Sequence, residues 1–463
     1  MTTKTATSRA RPIARLLQAG AASLALLSGC MNERHLVGEG PPAGLGDGGP
    51  GGAGSGAGGS GAGPMLDAGG SDAPGPDALG PDALGPDAND GSSDGGPSPD
   101  ASADVIGLGD EPPAGWPLAI SPEEVAKRLS QFILRQPPSA ALTTAIVAAA
   151  PRTNQDVGQL ADGLLLQEGS VAGRAAFYRW WLSFDAFATV ARDPTLFPLL
   201  TDAIRQAFLD QTLAFVEDVT WRADGDLATL LTEPAAYVSP ATAPWFPGTA
   251  ALVTGTEMTR VSLDPALYAG LVTQPPLVAS GPFPKRPEPS RRGRDVRTRF
   301  LCTPIPLEPP DSSLMPTEIP AGMTIRQAVS VATGSGPCSA CHGLIDPLGF
   351  AFGHFDAVGA FQLTEASLPI DTTGQLGVAA FTGAPDLAHI LADTPAVSTC
   401  FALKWLAFVR GTPTNADDVS LSADDTVAAT DTEYVVKRAT IKGRLNLRAT
   451  IRAVTETHIF LDP

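Results

Sequence analysis

Cys338-Ser339-Ala340-Cys341-His342 is the stretch around which the rest of the chain is organised. It is a C-x-x-C-H, the spacing at which a c-type haem is attached. Two thiols three positions apart lie on one helical turn, where each can form a thioether to a haem vinyl group. The histidine after the second thiol then sets an imidazole nitrogen under the iron as its proximal ligand. On this reading Cys338 and Cys341 hold haem c covalently and His342 is the metal ligand. A bare C-x-x-C has rival meanings: a disulfide, half of a zinc site, or a thioredoxin-like redox pair. The added histidine narrows them in a chain with only five cysteines and five histidines.

Residues 1–29 read as an export signal. Lys4, Arg9, Arg11 and Arg15 form a basic start, and Leu16 to Leu27 is a leucine and small-residue run. That run is shorter than the roughly twenty apolar residues a bilayer span needs. It ends in Leu27-Ser28-Gly29-Cys30, which resembles the bacterial lipobox, where the cysteine is lipidated and becomes the new N-terminus. Several acyl chains on Cys30 would exceed the threshold for stable anchoring, so the membrane is the first expected partner. Met31 rather than aspartate follows, and nothing marks the chain for retention at the inner membrane. The expected location is the cell envelope, as an outer-membrane lipoprotein.

Export also agrees with covalent haem attachment, which takes place outside the bacterial cytoplasm, and it permits disulfides. With Cys30 lipidated and Cys338 and Cys341 on haem, Cys302 and Cys400 remain. They are an even pair in an oxidising compartment, and a disulfide between them is the preferred reading. The competing arrangement gathers the last four thiols into a zinc site, which the wide spacing of the outer pair fits poorly.

From 30 to 113 the composition collapses to Gly, Ala, Pro, Ser and Asp, with a repeat Gly75-Pro76-Asp77-Ala78-Leu79 and Gly80-Pro81-Asp82-Ala83-Leu84. Such a segment cannot bury enough apolar surface to offset its ordering entropy, and it reads as a disordered tether. Its span is on the order of 50 Å. Most of the formal charge of -18 lies here, with fourteen acidic residues against Arg34 alone. The acidity therefore describes a solvated stalk and argues against a nucleic-acid partner.

The folded part reads as mainly α. Ser121-Pro122-Glu123-Glu124 is a capped helix start, followed by Val125, Leu129, Phe132 and Ile133 at helical spacing. Further helices are predicted over 140–150, 156–166 and 196–221. Phe177, Trp180, Trp181 and Phe184 form an aromatic stripe that reads as helix-packing core. This half has no histidine, no phosphate-cradling glycine loop and no paired carboxylates, so a catalytic site is not expected in it. Five arginines between Arg291 and Arg299 read as a solvated helix face, with neutralisation of haem propionates as the alternative.

The run Arg292-Gly293-Arg294 through Leu301-Cys302-Thr303-Pro304, then Pro337-Cys338-Ser339-Ala340-Cys341-His342, Ile345-Asp346-Pro347-Leu348-Gly349-Phe350 and Phe355-Asp356-Ala357-Val358-Gly359, resembles the planctomycete-type cytochrome C domain. That domain occurs in exported proteins of planctomycetes and myxobacteria. Pro369-Ile370-Asp371, Phe381-Thr382-Gly383 and Cys400-Phe401 to Gly411 look like its C-terminal companion, and Trp180-Trp181-Leu182 is similar to the helical domains that precede it. The likeness covers 121–463. It implies a c-type haem and companion domains of unknown function. Within it, Asp346-Pro347 reads as shaping the turn after the haem helix and Asp356 as a local cap or a local pairing partner. Candidates for a sixth iron ligand are Met315, Met323, His354 and His389.

The expected organisation is a signal peptide (1–29), a tether (30–113), helical companion domains (114–235), a loop-rich connector (236–290), a cytochrome-c-like haem segment (291–365) and a C-terminal helical companion domain (366–463). The leading functional expectation is a lipid-anchored monohaem cytochrome passing single electrons between a membrane or surface partner and another redox protein. The alternatives are a haem peroxidase-like enzyme at an open iron site, and a haem-free surface scaffold whose cysteines are structural.

Overall fold

Ser121 begins the first helix through the contacts its sequence suggests. In the computed structural model its hydroxyl accepts from the Glu124 amide, Pro122 occupies the first helical position, and Glu123 and Glu124 face the positive end of the helix dipole. The structure describes residues 115–462 apart from 223–224, 280, 306–317, 337 and 412–425. The expected signal peptide, Cys30 and the tether lie outside the described residues.

The fold is mainly α. Helix α1 (Pro122–Leu129) runs on into a π-turn over Ser130–Leu134 and stops at Arg135, which turns left-handed. Then come α2 (Ala140–Ala149), α3 (Asn154–Leu165), α4 (Val171–Trp181), α5 (Phe184–Thr189), α6 (Asp202–Trp221) and α7 (Leu227–Thr232). Helix α6 starts later than the predicted 196, because Pro198 disfavours helical backbone before it and the Thr201 hydroxyl caps the Ile204 amide.

An antiparallel hairpin joins β1 (Ala235–Val238) to β2 (Thr259–Ser262), with Ala235 opposite Ser262 and Val238 opposite Thr259. After α8 (Pro275–Val278) come α9 (Pro289–Asp295), a π-turn over Val296–Phe300, α10 (Ile325–Thr333) and α11 (Cys338–Phe350). Two small hairpins follow, β3 (Thr364–Glu365) with β4 (Leu368–Pro369) and β5 (Thr373–Leu376) with β6 (Ala379–Thr382). The chain closes with α12 (Gly383–Asp393), α13 (Pro395–Arg410), α14 (Thr426–Ala439), a hairpin of β7 (Thr440–Ile441) and β8 (Arg444–Leu445), α15 (Leu447–Thr455) and α16 (His458–Leu461). Among the described residues no helix is long and apolar enough to cross a membrane.

One hydrophobic core runs from Val125 to Leu461. The aromatic stripe of α4 lies at its centre: Phe177 stacks on Trp405 of α13 with ring centroids 3.5 Å apart, and Phe401 and Phe408 meet it edge-on. The Trp181 indole donates to the Arg299 carbonyl, which docks the segment after α9 onto this cluster. Helices distant in sequence are thus held by the same aromatic rings.

The C-terminal helices are pinned by a buried carboxylate. Glu456 is fully buried; it accepts from the Arg438 Nε at 3.0 Å, the Arg452 Nε at 3.0 Å and the Tyr434 hydroxyl at 2.7 Å. Burial, with the adjacent Glu456 charge, pushes the Tyr434 phenol up. Removing Glu456 strips the buried Arg438 guanidinium of its carboxylate, while Arg452 keeps Asp162. The Glu456→Ala variant is therefore expected to lose about 3 kcal/mol, read as a lower urea midpoint.

Candidate functional site

Two glycines decide where the C-x-x-C-H helix sits. A Cβ on Gly293 of α9 would fall 1.8 Å from the Ile345 carbonyl oxygen of α11, and one on Gly349 would fall 1.8 Å from the Pro289 carbonyl oxygen. The two backbones touch at distances that only hydrogen side chains allow. Ser290 lies one turn before Gly293, and Asp346 lies one turn before Gly349, so the same crossing brings these two side chains together.

Asp346 is 5% exposed and is gripped from three elements. The Ser290 hydroxyl of α9 donates to its Oδ1 at 2.6 Å. The Thr333 hydroxyl, at the end of α10, donates to its Oδ2 at 2.7 Å. One turn back on α11, the His342 Nδ1 lies 3.0 and 3.1 Å from the two carboxylate oxygens. With Nδ1 turned to the carboxylate, a metal held by this ring would have to take Nε2. Cys338 and Cys341 stand half-buried on the same helix as free thiols. Chemically this is a pair of nucleophilic sulfurs beside an oriented nitrogen donor.

Asp346-Pro347 does not form the turn expected of it. Helix α11 continues through Pro347 to Phe350. An interior proline costs about 3 kcal/mol, but here Asp346 and Gly349 are tied to α9 on either side of it, and the carbonyl of Pro347 lies against Gly374 of β5. Asp356 does cap locally: its Oδ1 accepts from the Val358 and Ala360 amides. Burial raises its carboxyl against those same bonds.

The arginine run is not a solvated face. Arg292 and Arg299 are each 3% exposed. Arg292 donates to the carbonyls of Phe352, Phe355 and Asp356, closing the chain after α11, and burial pushes its guanidinium down to about 9. Arg299 donates to the Leu182 carbonyl. Arg291 pairs with Asp295 one turn along. Arg292 and Arg299 thus satisfy backbone oxygens inside the protein while Arg291 pairs with a carboxylate on its own helix, which a helical wheel cannot show.

Cys302 and Cys400 are joined in a disulfide with Cα atoms 5.3 Å apart, linking α13 to the segment after α9. With both sulfurs in the disulfide, neither is a thiol for a four-cysteine zinc site with Cys338 and Cys341. Of the candidate sixth ligands, Met315 lies outside the described residues. Met323 precedes α10, whose far end touches Asp346 through Thr333; the nine residues of that helix span about 14 Å. Met323 lines a cleft of about 470 Å³ with Arg286, Asp356 and Glu365. His354 Nδ1 is taken by the Gln362 carbonyl at 2.9 Å, and His389 is exposed on α12.

The chain was compared with known proteins. Residues 268–365 match a family model described as PSCyt3, Protein of unknown function (DUF1588), and residues 120–246 match one described as PSD4, Protein of unknown function (DUF1592). Both matches are to families associated with planctomycete cytochrome C. No curated protein matches the chain, and no solved structure does. The PSCyt3 segment contains Ser290, Thr333, Cys338, Cys341, His342 and Asp346, so the whole cage falls in one matched domain. The PSD4 segment contains α1 to α7 and the aromatic stripe that packs against α13.

Sequence reading passed over Ser290 and Thr333 and assigned Asp346 a different task. The four-residue step from His342 to Asp346 was a usable signal, since side chains at that spacing meet on a helix. Ser290 and Thr333 carried none, because their approach depends on which helix faces touch.

Proposed function

We propose that the protein is a lipid-anchored monohaem c-type cytochrome of the cell envelope that passes single electrons. Cys338 and Cys341 would hold the haem through thioethers, His342 would bind its iron through Nε2, and Cys30 would carry the membrane anchor. The observation that carries this reading is the fixed imidazole: His342 turns Nδ1 into a buried carboxylate while two free thiols stand on the same helix. A metal-bound histidine characteristically donates its other ring N–H in this way. The donor set therefore fits a covalently attached haem, and the matched cytochrome C-associated domain points the same way.

Bound haem supplies a one-electron iron couple. The protein's part is to orient the nitrogen donor, to fix the macrocycle by two sulfurs, and to hold the site on a rigid helix pair. The tether would let that site reach partners at a distance from the membrane.

The test is a pyridine haemochrome spectrum of the chain matured with a c-type haem attachment system. The parent is expected to show a c-type band, and the Cys338→Ser/Cys341→Ser double variant to show none. A parent without the band rejects the cytochrome reading. A five-coordinate, high-spin spectrum with turnover of peroxide would turn the assignment toward a peroxidase-like enzyme.

A further inference from the structure

We propose that Asp346 is a positioning residue that lowers the reduction potential of the metal His342 binds; the proposal rests on the haem reading above. Asp346 meets His342 with both carboxylate oxygens, at 3.0 and 3.1 Å, and is 5% exposed. Ser290 and Thr333 hold the other sides of the carboxylate from two separate helices, so it cannot swing away from the ring.

A hydrogen bond from Nδ1 to a carboxylate moves electron density into the imidazole and makes Nε2 a stronger donor. A stronger donor favours the more positive ferric iron, and the potential falls. Charge matters here because a hydrogen bond to an ionised acceptor is about twice as strong as one to a neutral oxygen. Burial adds to the effect, since the field of the carboxylate is weakly screened in the interior. The couple exchanges one electron at iron, Fe(III) to Fe(II), and the Nδ1 proton stays between His342 and Asp346 in both states.

The arrangement predicts opposite signs for two neighbouring changes. Asp346→Asn keeps the shape and an oxygen acceptor but removes the charge, so the potential rises. Ser290→Ala removes a donor that competes for Oδ1, so the carboxylate binds the ring more strongly and the potential falls. General loosening of the site would move both variants the same way.

The experiment is an equilibrium spectroelectrochemical titration of the haem-loaded full chain, with haem content checked by pyridine haemochrome. Asp346→Asn is expected to shift the Fe(III)/Fe(II) equilibrium at least tenfold toward ferrous, about 59 mV for one electron. Ser290→Ala is expected to shift it the other way. A second readout uses the haem-free protein, where the 15N spectrum of His342 should place the proton of the neutral ring on Nδ1. Equal potentials in the parent and Asp346→Asn at equal haem content, shifts of the same sign in both variants, or a proton on Nε2 each overturn the proposal. If Asp346→Asn fails to take up haem, the sign of the Ser290→Ala shift and the proton position decide. A parent that carries no haem overturns the cytochrome reading and this one with it, whereas a loaded parent with an unmoved potential overturns this one alone.

Discussion

Replacing Gly293 or Gly349 by alanine is expected to destabilise the protein by roughly 4 kcal/mol or more, near the upper end of single-residue effects. The reason is the atom that the new methyl would strike. At both positions it is a carbonyl oxygen of the opposing helix, 1.8 Å away, and not the tip of a side chain that could turn aside. Relief requires α9 and α11 to move apart along their contact, which withdraws the Ser290 hydroxyl from Asp346. Overpacking alone costs about 1–3 kcal/mol, and the lost hydrogen bond to a buried carboxylate adds about 1.5–3 kcal/mol. Gly163 on α3 provides the control, because a methyl there meets nothing within 4 Å. Gly163→Ala should be neutral or gain up to about 1 kcal/mol through helix propensity. Urea unfolding of the three variants checks this, and a midpoint for Gly293→Ala equal to that of the parent would refute the close crossing.

The second large effect belongs to the disulfide. Cys302 and Cys400 are 98 residues apart in sequence, and the loop between them contains α10, α11 and the hairpins beside them. Closing a loop of that length removes chain entropy from the unfolded state equivalent to about 4–5 kcal/mol. The Cys302→Ala/Cys400→Ala variant is therefore expected to unfold at a much lower urea concentration than the parent. Reductant should bring the haem-free parent down toward the variant and leave the variant unmoved. Thiol titration of the haem-free protein should find Cys338 and Cys341 reactive under native conditions, with the other pair appearing only after reduction. A parent indifferent to reductant would sink the prediction. The disulfide thus secures the enclosing loop, while the glycine contact sets the site inside it.

The local features were legible in residue order. Ser121 with Pro122 marks a helix start because a cap needs only a hydroxyl and the amide three residues on. The aromatics of α4 and the start of α5 read as core from their spacing, and Phe177, Trp181 and Phe184 are buried. Even the His342–Asp346 pair follows from a four-residue step, although the proline after Asp346 suggested that the helix ended there.

Sequence by itself determined the mainly helical build and put two thiols and an imidazole on one helical turn, because such features depend on neighbours within about four residues. Tertiary structure alone decided that Ser290 and Thr333 would close on Asp346, that α11 would run through Pro347, and that Arg292 and Arg299 would be buried donors to carbonyls. Those outcomes join residues up to 117 positions apart. They depend on which helix faces meet and how closely, and at α9 and α11 the absent side chains of Gly293 and Gly349 set that distance.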